Sequence, residues 1–354
     1  MDLEALLNRI VEPDQSVAAE AQAHLDNLTK PRGSLGRLEE LARWLCVVRG
    51  TTDISQPRPA VGVFAADHGV CAAGVSLFPQ EVTAQMVYNF LRGGAGINVF
   101  ARQVGADVVV VDVGVAAELA DAQGLIKAKV APGTADMTRG PAMSRDQALK
   151  AIGVGTDVAA RLISEGYDLL VPGEMGIGNT TAASAITAVL CARAVAEVTG
   201  RGTGLDDEAL RHKIGVIEKA IATNRPDPGD ALGVLAAVGG LEIAAICGLI
   251  LEAAASSIPV VLVGFISTAG ALVAAKLKPE VVHYLLAGHC SVEAGHKIQL
   301  ETLGLKPLLN LELRLGEGTG GVLAVGLVRA AVAMFTEMAT FESAGVSDEK
   351  GRQE

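Results

Sequence analysis

The stretch Tyr167-Asp168-Leu169-Leu170-Val171-Pro172-Gly173-Glu174-Met175-Gly176-Ile177-Gly178-Asn179-Thr180-Thr181 reads as an apolar strand that ends in a glycine turn. It opens into Ala182-Ala183-Ser184-Ala185-Ile186-Thr187-Ala188-Val189-Leu190, whose composition suits a helix. A turn of this kind lets a ligand approach the backbone closely. The unpaired N–H groups and the dipole of the helix's first turn attract an anion, with phosphate the natural candidate. Glu174 is out of place in a pure phosphate cradle and suggests a carboxylate with a separate chemical task. The turn is not a P-loop, which needs Gly-Lys-Ser/Thr, nor a dinucleotide fingerprint, because Thr181 occupies the third glycine's place. Spacing leaves two readings open: a bare strand-to-helix connection, or an anion site built from Gly176, Gly178 and the polar run Asn179 to Thr181.

Outward from this stretch the chain alternates between strand and helix patterns. Strands are expected at 60–65, 107–113, 168–171, 259–265, 281–286 and 307–311. Helices are expected at 81–102, 145–165, 180–198, 208–223, 231–254, 291–302 and 321–338. Before them, 16–28 and 37–48 read as helices joined by a Gly/Pro-rich connector in which Lys30 and Arg32 offer positive charge. Ser144 and Gln147 form a capping box. The order implies an α/β fold, a mostly parallel sheet with helices on both faces.

Composition agrees with that architecture and narrows the partners. Half of the 354 residues are hydrophobic and only 3% aromatic, so alanine and valine build the interior of a close-packed sheet. A net charge of −11 argues against nucleic acid or an anionic membrane as partner. The uncharged stretch 253–275 is long enough to cross a bilayer, but Pro259, Gly264 and Gly270 divide it into strand, turn and helix. The acidic start, Met1-Asp2-Leu3-Glu4, does not resemble a secretory signal. Five scattered cysteines without C-x-x-C spacing point to reduced thiols in a cytoplasmic protein rather than to disulfides or structural zinc.

In open α/β sheets ligands sit beyond the carboxyl ends of the strands. The loops expected there are Ala66-Asp67-His68-Gly69-Val70, Gly173 to Thr181, Ser267-Thr268-Ala269-Gly270, Gly288-His289-Cys290-Ser291 and Arg314-Leu315-Gly316-Glu317-Gly318-Thr319-Gly320-Gly321. Glu317, flanked by glycines, is either a helix N-terminal acid or a buried general base. Asp67, His68, His289 and His296 lack His-Glu-x-x-His spacing and read as hydrogen-bonded groups rather than metal ligands. Arg201-Gly202-Thr203-Gly204-Leu205-Asp206-Asp207 either caps the next helix or adds anion contacts, and Lys213 lies about two turns further on.

Together these loops resemble the nicotinate-nucleotide–dimethylbenzimidazole phosphoribosyltransferase family, in segments 28–41, 65–75, 78–86, 93–100, 173–185, 200–207, 264–271, 289–297 and 309–321. Arg32 departs from the family, which more usually has a second proline there. The resemblance implies transfer of the phosphoribosyl group of nicotinate mononucleotide to 5,6-dimethylbenzimidazole, with no metal and no cofactor. Glu317 matches the family's catalytic glutamate. Glu174 would face the ribose, and Lys213 would neutralise charge. Phosphate and ribose fall to Gly176, Ile177, Gly178, Asn179, Thr180, Gly202, Thr203, Gly204 and Ser291. The aromatic base falls to Ser76, Gln85 and Leu315. The resemblance further implies a homodimer, with a Rossmann-like catalytic domain over 51–321, a small helical domain from both chain ends (1–50 with 322–345) and a tail at 346–354. Other readings are glycosyl transfer to a different azole or purine, and a non-catalytic nucleotide-binding module.

Overall fold

The computed structural model describes residues 2–202 and 204–347. Thr203 and most of the expected tail lie outside the described residues. One sheet of six strands organises the chain: β1 (Pro59–Ala66), β2 (Asp107–Gly114), β3 (Leu125–Lys127), β4 (Leu169–Met175), β5 (Val260–Leu262) and β6 (Leu285–Ala287). All neighbours are parallel, in the order β3-β2-β1-β4-β5-β6.

The alternation of side chains along each strand builds two cores. Ala60, Phe64, Val111, Val113, Leu170, Val260 and Leu262 face one side, under the helices Arg145–Ser164, Asn179–Leu190, Leu241–Ala255 and Phe265–Leu277. Val61, Val63, Ala65, Val171, Val261 and Val263 face the other. There they share a core with Leu25, Leu41 and Leu45 of the N-terminal helices, with Leu28 between those helices, and with Val325, Val328 and Val332 of the helix Thr319–Glu337. A bridge between Leu28 and Thr340 ties the two chain ends together. The helix Arg145–Ser164 packs closely on Leu241–Ala255, since a Cβ on Gly155 would stand 1.7 Å from the Ala245 carbonyl oxygen. The contact fixes the helix that carries Glu242.

Several elements differ from the sequence expectation. β3 was not expected: it is three residues long and too short for a period to be visible. The segment expected as a strand at 281–286 is mostly a 3₁₀ helix, Pro279–Tyr284, ahead of β6. At 307–311 only a bridge from Leu309 to His289 forms. The long helix expected at 81–102 breaks into Val82–Leu91 and Gly96–Gln103, and that at 231–254 breaks at Gly239-Gly240. The Ser144–Gln147 capping box is formed, with Gln147 N–H donating to Ser144 Oγ at 3.1 Å. Lys30 is buried against Glu39 at 2.9 Å, so the charge it offered serves a structural ion pair.

Candidate active site

From β1 the chain builds outward through β2 and β3, then crosses to the other side of β1 and continues through β4 to β6. The order therefore reverses between β1 and β4, and a crevice is expected beyond their carboxyl ends. Glu174 lies there, paired with Phe64 across the β1–β4 ladder. A cavity of about 310 Å³ opens at this edge. Its walls include Glu174, the turn Gly176-Ile177, Asn179 and Thr180, Ser291, Glu293 and Glu317, with Phe78, Val82, Met86 and Leu315 as apolar cover.

The two glutamates are joined through the backbone. Glu317 N–H donates to Glu174 Oε1 at 3.2 Å, and Asn179 Nδ2 donates to Glu174 Oε2 at 2.5 Å. Glu317 Oε2 in turn accepts from Ile97 N–H at 3.0 Å, at the start of the helix Gly96–Gln103. Glu317 itself sits at φ +63°, between Gly316 at +83° and Gly318 at +117°. A glutamate in the left-handed region is strained by about 1–2 kcal/mol, and such strain persists where the surroundings over-determine it. Here they do: a Cβ on Gly173 would lie 2.3 Å from the Glu317 carbonyl oxygen, and one on Gly316 would lie 2.1 Å from Glu174 Oε1.

Burial shapes the charge of both acids. Desolvation, then the charge of Glu242, pushes Glu174 up to about 7 against the opposing hydrogen bonds from Glu317 and Asn179; the Glu317 charge adds a smaller rise. Desolvation also raises Glu317, and the Ile97 and Gly96 N–H groups partly offset it. Both acids are thereby shifted toward the range in which a carboxylate exchanges protons near neutrality.

The opposite end of the cavity suits an anion. Lys213, 1% exposed, donates to Thr180 Oγ1 at 2.8 Å, and burial lowers its pKa to about 8 despite the neighbouring Glu293. Glu293 is raised by desolvation, with Lys213, the Gly202 N–H and Arg314 pulling the other way. Asp206, not Asp207, caps the helix Asp207–Asn224 that carries Lys213, accepting from Ala209 N–H at 2.8 Å. His296 is a core group, with Nδ1 accepting from Ser291 N–H at 2.8 Å and Nε2 beside Thr268 Oγ1 at 3.1 Å. Burial holds it near 3, so it is neutral. His289 lines the cavity wall.

The structure thus brings Glu174, Glu317, Gly176, Ile177, Asn179, Thr180, Gly202, Ser291 and Leu315 to one cavity, with Lys213 behind Thr180. Gly178 and Gly204 are not among its walls; Gly178, at φ +94°, starts the helix behind the turn. Ser76 and Gln85 do not line it either: Ser76 Oγ accepts from Phe78 N–H at 3.2 Å, and Gln85 is exposed. The helix containing Gln85 instead presents Val82 and Met86, one turn apart. Glu293 escaped sequence reasoning because a lone acid after Ser291 carries no spacing signal. Phe78, in a chain with few aromatics, was the available hint to an apolar wall.

Comparison with known proteins agrees with this geometry. A family model described as phosphoribosyltransferase matches residues 10–346. The nicotinate-nucleotide–dimethylbenzimidazole phosphoribosyltransferase of Geobacter metallireducens is 56% identical over 98% of this chain and 98% of its own length. The protein of the same name from Geobacter sulfurreducens is 57% identical over 97% of each chain. The crystal structure of CobT from Thermus thermophilus superposes with a TM-score of 0.91 at 53% identity, covering 94% of this chain and 99% of that one. The chain belongs to the nicotinate-nucleotide–dimethylbenzimidazole phosphoribosyltransferase family.

Proposed function

We propose that this protein transfers the phosphoribosyl group of nicotinate mononucleotide to 5,6-dimethylbenzimidazole, giving α-ribazole 5′-phosphate and nicotinate. The observation that carries the reading is the pair of carboxylates in one cavity, with Glu317 N–H bonded to Glu174 Oε1 at 3.2 Å. In this reaction the bond from the anomeric carbon to the pyridinium nitrogen breaks, and its electron pair leaves with a ring nitrogen that becomes neutral. The bare ring nitrogen of the benzimidazole forms the new bond from the opposite face, which inverts the anomeric carbon. Its other ring nitrogen gives up its proton.

Glu317 takes that proton. Its Oε2 is held by Ile97 N–H, which leaves the other oxygen for the acceptor. Glu174 stabilises the positive charge that develops at the anomeric carbon, held for this by Asn179. The N–H groups of the 176–180 turn, Ser291 and buried Lys213 bind the phosphate and ribose, as does the loop around Gly202. Phe78, Val82, Met86 and Leu315 sandwich the flat acceptor.

The working unit is a homodimer in this reading. Leu77, Phe78, Leu315, Val292 and Leu311 are large apolar side chains left 49–60% exposed in or beside cavity-lining segments, a surface that a second copy would cover. The five cysteines are unpaired, which fits a reducing compartment, and we place the protein in the cytoplasm. The test is mass detection of α-ribazole phosphate after mixing protein, nicotinate mononucleotide and dimethylbenzimidazole. Absence of that product, with nicotinate mononucleotide bound, would favour a non-catalytic binding module.

A further inference from the structure

Beneath the turn that carries Glu174 lies a second ionisable pair that the transfer reaction does not use directly. His68 Nε2 and Glu242 Oε1 stand 2.8 Å apart, their side chains 1% and 0% exposed. His68 follows β1, and Glu242 lies in the first turn of the helix Leu241–Ala255, so two elements that flank the sheet edge meet through this contact. The ring is wedged under the glycine turn: a Cβ on Gly176 would lie 3.3 Å from His68 Nε2, and one on Gly178 would lie 3.4 Å from the His68 Cβ. Gly240 is tighter still, with a Cβ there 2.5 Å from His68 Cε1. The second oxygen of Glu242, Oε2, is buried without a hydrogen-bond partner.

A buried carboxylate with one oxygen unsatisfied is costly, and its field is little screened. The charged and titratable groups on this spot come from each element packed there. Asp67 and His68 come from the end of β1, Glu174 from β4, Glu242 from its helix, and Glu317 from the loop above. Asp67 is itself buried and tied to Ala116 N–H at 2.8 Å. Among these groups His68 is the one that can be cationic, facing several carboxylates. Burial opposes its charging, but Glu242, by charge and hydrogen bond, then Asp67 and Glu174, outweigh this and keep it protonated above the ordinary histidine range. The imidazolium is committed to Glu242, while the Glu242 charge bears on Glu174.

We propose that His68 and Glu242 are positioning residues for Glu174: the ion pair props the 173–179 turn from below, and its two charges set whether Glu174 enters turnover as carboxylate or acid. This rests on the role given to Glu174 above. Glu174 stabilises developing positive charge only when ionised, and Glu317 accepts the proton only when ionised, so the acidic limb of the rate profile carries both titrations. Removing either member of the pair moves that limb in opposite directions. Glu242→Gln deletes a negative charge and lets Glu174 ionise at lower pH. His68→Gln leaves Glu242 without its cation and makes Glu174 ionise at higher pH.

The experiment is kcat against pH from 5 to 9, by nicotinate release at saturating nicotinate mononucleotide and dimethylbenzimidazole, on the full chain and on Glu174→Gln, Glu242→Gln and His68→Gln. The expected result is an acidic limb that Glu174→Gln reduces to the Glu317 titration alone, that Glu242→Gln moves down by at least about half a pH unit, and that His68→Gln moves up by a similar amount. A purely structural pair would lower kcat in both variants and leave the limb in place; an unmoved limb, or shifts in the same direction, overturns the proposal. Unaltered turnover and pH profile in Glu174→Gln would instead overturn the reading on which it rests. If either pair variant fails to fold, ¹⁵N-histidine spectra of the unmodified protein decide. One of its six histidines should keep both ring protons to higher pH than an ordinary histidine, and a set in which none does would end the proposal.

Discussion

The backbone N–H of Glu317 donates to the carboxylate of Glu174 across 143 residues of sequence, at 3.2 Å. One acid of the site therefore fixes the loop that presents the other. The loop has no room to move elsewhere, because Gly173 lies directly under the Glu317 carbonyl. The two carboxylates behave as one unit in position, while each has its own hydrogen-bond partners and its own chemical task.

Glu317→Gln should keep the affinity for nicotinate mononucleotide, measured by calorimetry, and lower kcat for nicotinate release by about 10²–10⁴-fold, the usual contribution of a general base. The amide still accepts from Ile97 N–H, so the fold is retained. Full turnover in this variant removes Glu317 from proton transfer.

Glu174→Gln should reduce turnover more than donor affinity, and it should also raise stability. The folded pKa of about 7 lies above the ordinary value of 4.5, so the native state binds the extra proton and Glu174 is at its most favourable below pH 4.5. Stability is lost as pH rises from 4.5 through 7, when a buried carboxylate must ionise. Thermal unfolding should therefore show Glu174→Gln more stable than the unmodified chain at pH 8, by on the order of 1–3 kcal/mol, with the gain vanishing below pH 5. A variant less stable at pH 8 would show that hydrogen bonds, not desolvation, dominate this position.

Donor binding should take up protons near pH 8.5. Burial lowers Lys213 to about 8, and a phosphate placed beside it favours the charged form. Calorimetry in buffers of different ionisation enthalpy measures the uptake. It should disappear in Lys213→Met, whose donor affinity should fall by at least about tenfold, as for loss of one charge-assisted contact. Equal uptake in that variant would place the titrating group elsewhere.

Gly173→Ala tests the packing that joins the acids. The new methyl group would meet the Glu317 carbonyl oxygen at 2.3 Å, a backbone atom that cannot swing away. Overpacking of this kind costs about 1–3 kcal/mol, read from denaturant unfolding. Turnover should fall with it as the Glu317 loop is displaced. A variant with unchanged stability and kcat would show the loop to be adaptable.

Much of the fold was legible because its signals are local. The 167–190 stretch reads correctly as strand, turn and helix, and β1, β2 and the helices Arg145–Ser164 and Asp207–Asn224 fall within two residues of expectation. Where the reading failed, local pattern was ambiguous or too short. Val281, Val282, Tyr284 and Leu285 make an apolar run that suits a strand, yet Pro279 starts a 3₁₀ turn through most of it. Which face the helix Val82–Leu91 turns to the cavity was not legible: Val82 and Met86 line it, while Gln85, which the resemblance gives to the base, is exposed in the single chain. Periodicity locates a helix well and its rotation poorly.

Residue order was enough for the alternating α/β pattern, the glycine-rich loops beyond the strands, and Glu174 and Glu317 as acids in unusual settings. These depend on residue type and spacing over a few positions, which steric and hydrogen-bonding preferences of the local chain decide. Three-dimensional packing was needed to show that the sheet order reverses between β1 and β4. It was also needed to show that Glu317 reaches Glu174, and that His68 meets Glu242 174 residues away beneath the same turn. Such contacts follow from how crossovers stack the strands and from which charges the core can bury together. No short stretch of sequence contains that information.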